Sequence, residues 1–285
     1  MIDISINNLY KFLICLLFYQ NSFCQNDIKI IQSDKLDQLI INDTTFQKLS
    51  GNVIIEYLDF KINCDNILID DYKEHLKGWG NARIVNDTIE CKSDSLIIKQ
   101  AKKSIYLYDN TLININEMQI YSDNIKYNYN EKELNYWKGG VVNIENSEIE
   151  SDKFTYNLEQ KISKFKKSVL LKSDDQLIQT DTLIYKDKLI DFTGKTVINR
   201  DDMIINCMKG QFKKNDKIEL FYQKTTDSNN QEIKSDTLII EINNNNTSYF
   251  KNNVEIMIDP ETYIISKYAQ QHDQHIDIYN DCYIK

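Results

Sequence analysis

The sequence predicts an all-β protein, an elongated solenoid-like repeat of stacked strands, and two observations support this prediction. A Ser, Thr or Cys followed by Asp and alternating apolar residues recurs, with its aspartates at Asp65, Asp94, Asp123, Asp152 and Asp181, a constant step of 29 in the numbering. The composition agrees, because Ile, Tyr, Phe and Thr suit a half-buried pleated surface and helix-spaced runs of Ala, Leu, Glu and Gln are missing.

The segment 1–24 resembles a secretory signal peptide. Lys11 precedes the apolar run 12–19, FLICLLFY, and a polar stretch then leads to Cys24. The run is shorter than the roughly 20 apolar residues that a membrane-spanning helix needs. We expect cleavage before Gln25 and export of residues 25–285 as one domain. An uncleaved anchor and a lipidated Cys24 are the alternatives.

Each repeat contains two strands with one apolar face each, because the side chains of a strand alternate between its two faces. In the first strand, the apolar positions follow the Asp by two and four residues. They are Ile67, Ile69, Leu96, Ile98, Ile125, Tyr127, Phe154, Tyr156, Leu183, Tyr185, Leu238 and Ile240. The second strand follows a column of Asn52, Asn81, Asn110, Gly139 and Ser168, which has the same step. Its larger apolar residues are Val53, Ile55, Ile84, Ile113, Val142 and Leu171.

Two strands cannot bury their apolar faces alone, so the repeats must stack on one another. The sequence leaves open whether each repeat adds one layer or an antiparallel pair. The period slips after Asp181, since the next match, Cys207, comes earlier than the step requires, before Asp236 restores the step of 29. A polar insertion at 224–232 accompanies this slip.

The Asp column shares its parity with the apolar face, where stacked carboxylates would repel one another. We therefore expect each Asp at the entrance of its strand, capping turn amides together with the neighbouring hydroxyl. A cation along the column is the alternative, but the glycine-rich calcium-binding repeat is missing from the sequence.

Charge and motifs narrow the possible functions. The net charge of -9 argues against a nucleic-acid partner. No nucleotide loop, GxSxG elbow, HExxH or paired CxxC occurs, so we predict no catalytic residue, metal site or cofactor. His272 and His275 are expected on opposite faces of one strand. Among Cys64, Cys91, Cys207 and Cys282 we expect free thiols, with a bridge between neighbouring repeats as the alternative.

Two stretches carry a family resemblance. LSGNVIIE at 49–56 and LKGWGNARIV at 76–85, each followed by a Ser/Cys-Asp strand, resemble the repeats of the OstA-like (LptA) family over about residues 30–285. The resemblance implies a twisted periplasmic β-jellyroll with an open apolar groove that shields the acyl chains of lipopolysaccharide. It also implies that the eighteen inward residues named above contact the lipid, and that the family has no catalytic residue to transfer.

The expected function is therefore periplasmic transport of lipopolysaccharide or a similar glycolipid, as part of a bridge to the outer membrane. The segments 28–31 and 281–285 have the pattern of uncapped strands. They predict end-to-end strand addition to other β-jellyroll transport proteins or to a second copy. The tyrosines Tyr127, Tyr156 and Tyr185 line a binding wall or simply pack in the core. A structural β-solenoid without ligand and a polysaccharide-active β-helix enzyme are the alternatives.

Overall fold

The computed structural model describes residues 28–70, 74–174, 176–213, 217–226, 231–242, 247–272 and 275–285. The predicted signal peptide lies outside these residues. Within them, no helix is long and apolar enough to cross a membrane, and one 3-10 turn occurs, Gln100–Lys102. The strands are β1 (Lys29–Gln32), β2 (Lys35–Ile41), β3 (Thr44–Tyr57), β4 (Phe60–Asp70), β5 (His75–Val85), β6 (Ile89–Lys99), β7 (Ser104–Ile115), β8 (Met118–Asn128), β9 (Glu133–Tyr136), β10 (Gly140–Ile144), β11 (Ser147–Ser151), β12 (Lys153–Asn157), β13 (Ile162–Lys172), β14 (Gln176–Lys186), β15 (Leu189–Arg200), β16 (Met203–Lys213), β17 (Lys217–Thr226), β18 (Glu232–Glu241), β19 (Thr247–Asp259), β20 (Thr262–His272), β21 (His275–Tyr279) and β22 (Tyr283–Ile284).

The strands form one antiparallel sheet in which most long strands pair with the next strand along the chain. This pattern runs from β3 to β8 and again from β13 to β20. Between these runs the strands are split, since β9 and β10 both pair with β8, and β11 and β12 both pair with β13. Each repeat therefore adds an antiparallel pair to a β-jellyroll rather than a single solenoid layer.

Each long strand bends near its middle. In β4 the buried apolar residues are Phe60, Ile62 and Cys64, and then Ile67 and Ile69, so the alternation skips one residue beside Asp65. The neighbouring strand β5 accommodates the bend with a bulge in which Gly80 and Asn81 both have positive φ. Gly80 suits this bulge because it adopts positive φ without strain, and a Cβ there would lie 2.5 Å from Oδ2 of Asp65, which would have to shift. These bends form one corner along the sheet, and the sheet folds there into two walls that face each other.

The two sequence columns meet at this corner. The Asn side chains donate hydrogen bonds to the aspartates of the preceding strand. The pairs are Asn52–Asp34 (2.9 Å), Asn81–Asp65 (2.8 Å), Asn110–Asp94 (2.7 Å) and Asn253–Asp236 (2.7 Å). The prediction that each Asp stands at a strand entrance is wrong for Asp65, Asp94, Asp123 and Asp181, which lie in mid-strand, whereas Asp152 directly precedes β12. The expected repulsion within the apolar face does not arise, because the bend turns the carboxylates outward.

The slip in the period coincides with a break in the corner. Cys207 is buried like Ser235, so it takes the inward position, and Met208 stands where the other strands carry Asp. Aligning Cys207 with the Asp column was therefore wrong by one residue. Opposite Met208, Tyr222 has a φ of 56°, and both side chains are exposed, Tyr222 by 74%. Of the predicted insertion at 224–232, residues 227–230 lie outside the described part.

Candidate functional site

The inward columns form a continuous apolar interior between the two walls. Of the eighteen residues that the sequence predicts to face inward, seventeen are buried and Tyr185 is half-buried against them. The buried residues are Val53, Ile55, Ile67, Ile69, Ile84, Leu96, Ile98, Ile113, Ile125, Tyr127, Val142, Phe154, Tyr156, Leu171, Leu183, Leu238 and Ile240. The structure thus brings all of them to one core. That they contact a lipid stays a prediction.

Aromatic side chains fill part of this interior. The ring of Phe154 packs on Phe165 and on Tyr136, with centroids 4.9 and 5.2 Å away. The hydroxyl of buried Tyr136 lies 2.8 Å from Oγ of Ser151 and donates to the carbonyl of Gly140. Phe154 is the direct partner of both Phe165 and Tyr136 on neighbouring strands, so the three rings form a continuous aromatic surface on the inner side of the sheet. Because all three rings are buried, a ligand reaches this part only if side chains or walls move apart.

The hairpin turns of the sheet form two rows. The first row includes turns 58–59, 86–88, 116–117, 145–146, 173–174 and 201–202, and the second row includes 100–103, 129–132, 158–161 and 187–188. Because the sheet is folded at its corner, the two rows face each other across the interior. We call the line along which they meet the seam. Tyr57 and Tyr129 join across it through a hydroxyl–hydroxyl hydrogen bond of 2.9 Å, and Phe60 packs edge-on against Tyr127.

Several pairs of residues across the seam have the same separation in sequence. Asp59 acts electrostatically on Tyr127, and Glu117 acts on Tyr185, and the difference in residue number is the same in both pairs. Asp174 and Ile242 line one cavity at the same offset, which exceeds two repeats. An antiparallel sheet twists steadily from strand to strand. These pairs therefore indicate that the second wall is displaced along the sheet by about two repeats.

The tyrosines Tyr127, Tyr156 and Tyr185 lie near the ends of their strands, next to the second row of turns. Burial raises the pKa of Tyr127 to about 12, with a smaller contribution from Asp59. It also raises the pKa of Tyr185 to about 12, with Glu145 contributing charge and a hydrogen bond, and it raises that of Tyr156. The three hydroxyls therefore remain protonated at neutral pH, and that of Tyr185 forms a hydrogen bond with Glu145 at the edge of the apolar interior.

The seam contains a cavity of about 150 Å³ beside Tyr185. Its apolar lining consists of Ile144, Tyr185, Ile190, Phe212 and Ile242, and its polar lining consists of Glu145, Asn146, Ser147, Ser173, Asp174 and Lys188. The charged members are exposed, whereas most of the apolar members are buried. The cavity is therefore amphipathic, with an apolar inner part and a charged rim.

Two inward polar residues, Gln176 and Arg200, were not predicted from the sequence. Both are buried, at the first-row ends of β14 and β15, and they are direct partners in the sheet. The sequence does contain a pattern that indicates a polar residue at position 176. Five residues before each Asp, the sequence has Phe60, Ile89, Met118, Ser147 and Gln176, so the column turns polar along the chain.

The cysteines are free thiols, as expected, whereas the predicted placement of the histidines needs correction. Cys64, Cys91 and Cys207 are buried free thiols and Cys282 is an exposed one, so no bridge joins neighbouring repeats in the described residues. Burial raises the pKa of the Cys64 and Cys207 thiols to about 12. His272 and His275 do not share a strand. They are direct partners across the β20–β21 hairpin, so cross-strand geometry places them on the same face.

A family model described as OstA-like protein matches residues 25–181, more than half of the chain. Among solved structures, the chain is similar to the crystal structure of LptH from Pseudomonas aeruginosa, the LptA homologous periplasmic component of a lipopolysaccharide transport device. The identity is 14% and the TM-score is 0.36, and the match covers 38% of this chain and 82% of that one. The chain matches none of the curated proteins.

Proposed function

Because the chain belongs to the OstA-like family, we propose that it is a periplasmic lipid-transport protein. In this proposal its apolar interior shields the acyl chains of lipopolysaccharide or a similar glycolipid on the way to the outer membrane. The observation that carries the proposal is the amphipathic cavity in the seam, where a continuous apolar interior meets a charged rim. Such a lining fits a ligand with apolar chains and a polar headgroup.

The energetics of this interior suit transport. Burying apolar surface is favourable by about 25 cal/mol per Å² and needs no specific hydrogen bond. The lining repeats along the sheet, so neighbouring positions offer an acyl chain similar energies. A lipid would therefore move along the interior without meeting a deep trap, and an energised membrane partner would supply the direction.

A structural β-sheet protein without ligand is the second candidate, and the packing of the interior favours it. Most of the inward residues are at most 3% exposed, including the aromatic residues Phe154 and Phe165, so little of the interior is accessible. Lipid uptake then requires the seam to open, whereas a structural protein would keep it closed. The two candidates therefore differ in whether lipid accompanies the purified protein.

The test is mass spectrometry of lipids in gently purified protein, with two matched variants. Ile242→Trp places a large ring in the seam cavity, whereas Ile204→Trp makes the same change at a side chain that is 50% exposed. We expect lipid in the wild type and in Ile204→Trp, and at least a fivefold loss in Ile242→Trp. Lipid-free wild-type protein, or equal lipid in both variants, would count against lipid transport.

The same proposal includes pairing with other β-jellyroll proteins at the ends of the sheet. Within the described residues, β2 pairs only with β3, and β22 pairs only with β20. Leu36 and Ile284 at these strands are 61% and 70% exposed. A photo-crosslinker at Tyr283 should trap end-to-end products in cells, whereas one at Asn157, in the middle of the sheet, should not. Products from Asn157 alone would contradict end-to-end pairing.

A further inference from the structure

One pair of polar residues interrupts the apolar lining where the strands end at the first row of turns. Gln176 and Arg200 are 5% and 4% exposed and face each other directly across β14 and β15. At the position in β4 that corresponds to Gln176, five residues before the Asp of the column, the chain carries the apolar residue Phe60. The interior therefore changes from apolar to polar at this point of the seam.

The side chain of Gln176 has no hydrogen-bond partner among the residues that the structure describes. Both its Nε2 and its Oε1 are buried, and neither forms a hydrogen bond with this part of the chain. Buried amides are normally paired, because an unpaired one loses its water contacts without compensation. A buried amide with both polar atoms left in this state points to a partner that comes from outside the described residues.

Arg200 supplies a positive charge at the same place. The sequence contains two arginines, and the other, Arg83, forms an exposed ion pair with Glu90 at 2.9 Å. Among the described residues, Arg200 is the one buried cationic side chain. Its Nε lies 3.6 Å from Oδ2 of Asp201, whose side chain is 57% exposed. A guanidinium keeps its charge at all relevant pH values, and its planar fork matches a phosphate.

The polar pair adjoins the seam cavity. The backbone N–H of Ser173 donates to the carbonyl of Gln176 at 3.0 Å, and Oγ of Ser173 donates to the same carbonyl at 3.3 Å. Ser173 and Asp174 also line the cavity. A ligand with acyl chains in the cavity would therefore hold its headgroup near this turn.

We propose that Arg200 and Gln176 bind the phosphate of an acidic lipid whose acyl chains occupy the seam cavity. The guanidinium and the amide N–H would donate hydrogen bonds to the phosphate oxygens. This inference rests on the proposed lipid-binding function and adds to it the class of headgroup. A neutral lipid with the same chains would fit the cavity but would offer no phosphate oxygens to the Gln176 amide.

The experiment compares dipalmitoyl phosphatidic acid with dipalmitoylglycerol, which has the same chains and no phosphate. Both compete with a fluorescent diacylglycerol for the purified full chain. We expect the wild type to prefer the phosphatidic acid at least tenfold. The Arg200→Met and Gln176→Leu double variant should lose this preference and still bind dipalmitoylglycerol, and Arg83→Met should behave like the wild type.

The outcomes separate the two proposals. Equal binding of both lipids by the wild type would overturn the phosphate site and leave lipid binding intact, whereas binding of neither lipid would overturn both. Inorganic phosphate at the concentration of the phosphatidic acid should not displace it, and displacement would mean a free-anion site instead. If Arg200→Met does not fold, Asp201→Asn removes the neighbouring carboxylate and should strengthen the preference. An unchanged or weaker preference in Asp201→Asn would contradict the site.

Discussion

The hydrogen bond between Tyr57 and Tyr129 closes the seam at one place, and Tyr57→Phe removes it without changing the ring. The two hydroxyl oxygens are 2.9 Å apart, and the hydroxyl of Tyr129 also donates to the carbonyl of Gln100 at 3.5 Å. Burial raises the pKa of Tyr57 well above its usual range, so its hydroxyl stays protonated and remains a donor. The substitution therefore tests whether closure of the seam limits lipid uptake.

The size of the effect follows from this geometry. A neutral hydrogen bond contributes about 1 kcal/mol net to stability. The edge-on packing of the two rings, with centroids 6.1 Å apart, remains in the phenylalanine variant, and Tyr129 keeps its second partner. We therefore expect the free energy of unfolding to fall by about 1 kcal/mol. The same loss shifts an opening equilibrium of the seam about fivefold toward the open state.

The assay is stopped-flow uptake of cis-parinaric acid, whose fluorescence rises when it leaves water, with urea unfolding measured in parallel. Tyr57→Phe should take up the probe about five times faster than the wild type. Tyr106→Phe is the matched control, because Tyr106 stacks on Tyr108 on the outer face of the sheet. If Tyr57→Phe loses about 1 kcal/mol of stability and both variants still take up the probe at the wild-type rate, the probe does not enter through this part of the seam.

Two further predictions concern stability and thiol chemistry. Met208→Asp combined with Tyr222→Asn restores the Asp–Asn pair at the corner and replaces a bulky residue at positive φ. We therefore expect the free energy of unfolding to rise by about 1–2 kcal/mol and the Tm by several degrees. An unchanged or lower Tm would refute this explanation of the break in the corner. Cys282 is exposed, whereas burial raises the pKa of the Cys91 thiol far above its usual range. An aromatic disulfide reagent should therefore modify Cys282 within minutes and Cys91 only on unfolding, and peptide mapping that finds equal rates would contradict the burial of Cys91.

The strands and their inward faces could be predicted because their signal is local. Alternation with a period of two fixes which residues share a face, and it correctly placed Ile67, Leu96 and Leu238 in the core. The same rule failed at the corner. It assumed an unbroken alternation through Asp65, whereas the bend and the bulge at Gly80 shift the face by one residue. The Asn column was the sign of that bulge, because Asn tolerates positive φ better than most residues.

The seam could not be predicted, because it depends on how far the sheet twists before its walls meet. Nothing in the regular repeat indicates that Tyr57 meets Tyr129, which lies more than two repeats further along the chain. The separation of the two residues in sequence depends on the twist that accumulates over several strands. For the same reason the sequence could not show that Tyr185 borders the cavity that Ile242 lines.

A phosphate site at Arg200 has a consequence for movement along the interior. If the lining were uniform, a lipid would have similar energy at each repeat and would spend similar time there. A tenfold preference for phosphate at one place corresponds to about 1.4 kcal/mol and prolongs the stay there about tenfold. This is as much as burying roughly 55 Å² of apolar surface at about 25 cal/mol per Å². This extra binding energy is small enough for the lipid to move on. An acidic lipid would therefore stay longer at the seam cavity beside Gln176 than at other repeats. Lipid bound at partial occupancy should therefore crosslink more strongly from Ser173 than from Asp59, although both stand on the first row of turns.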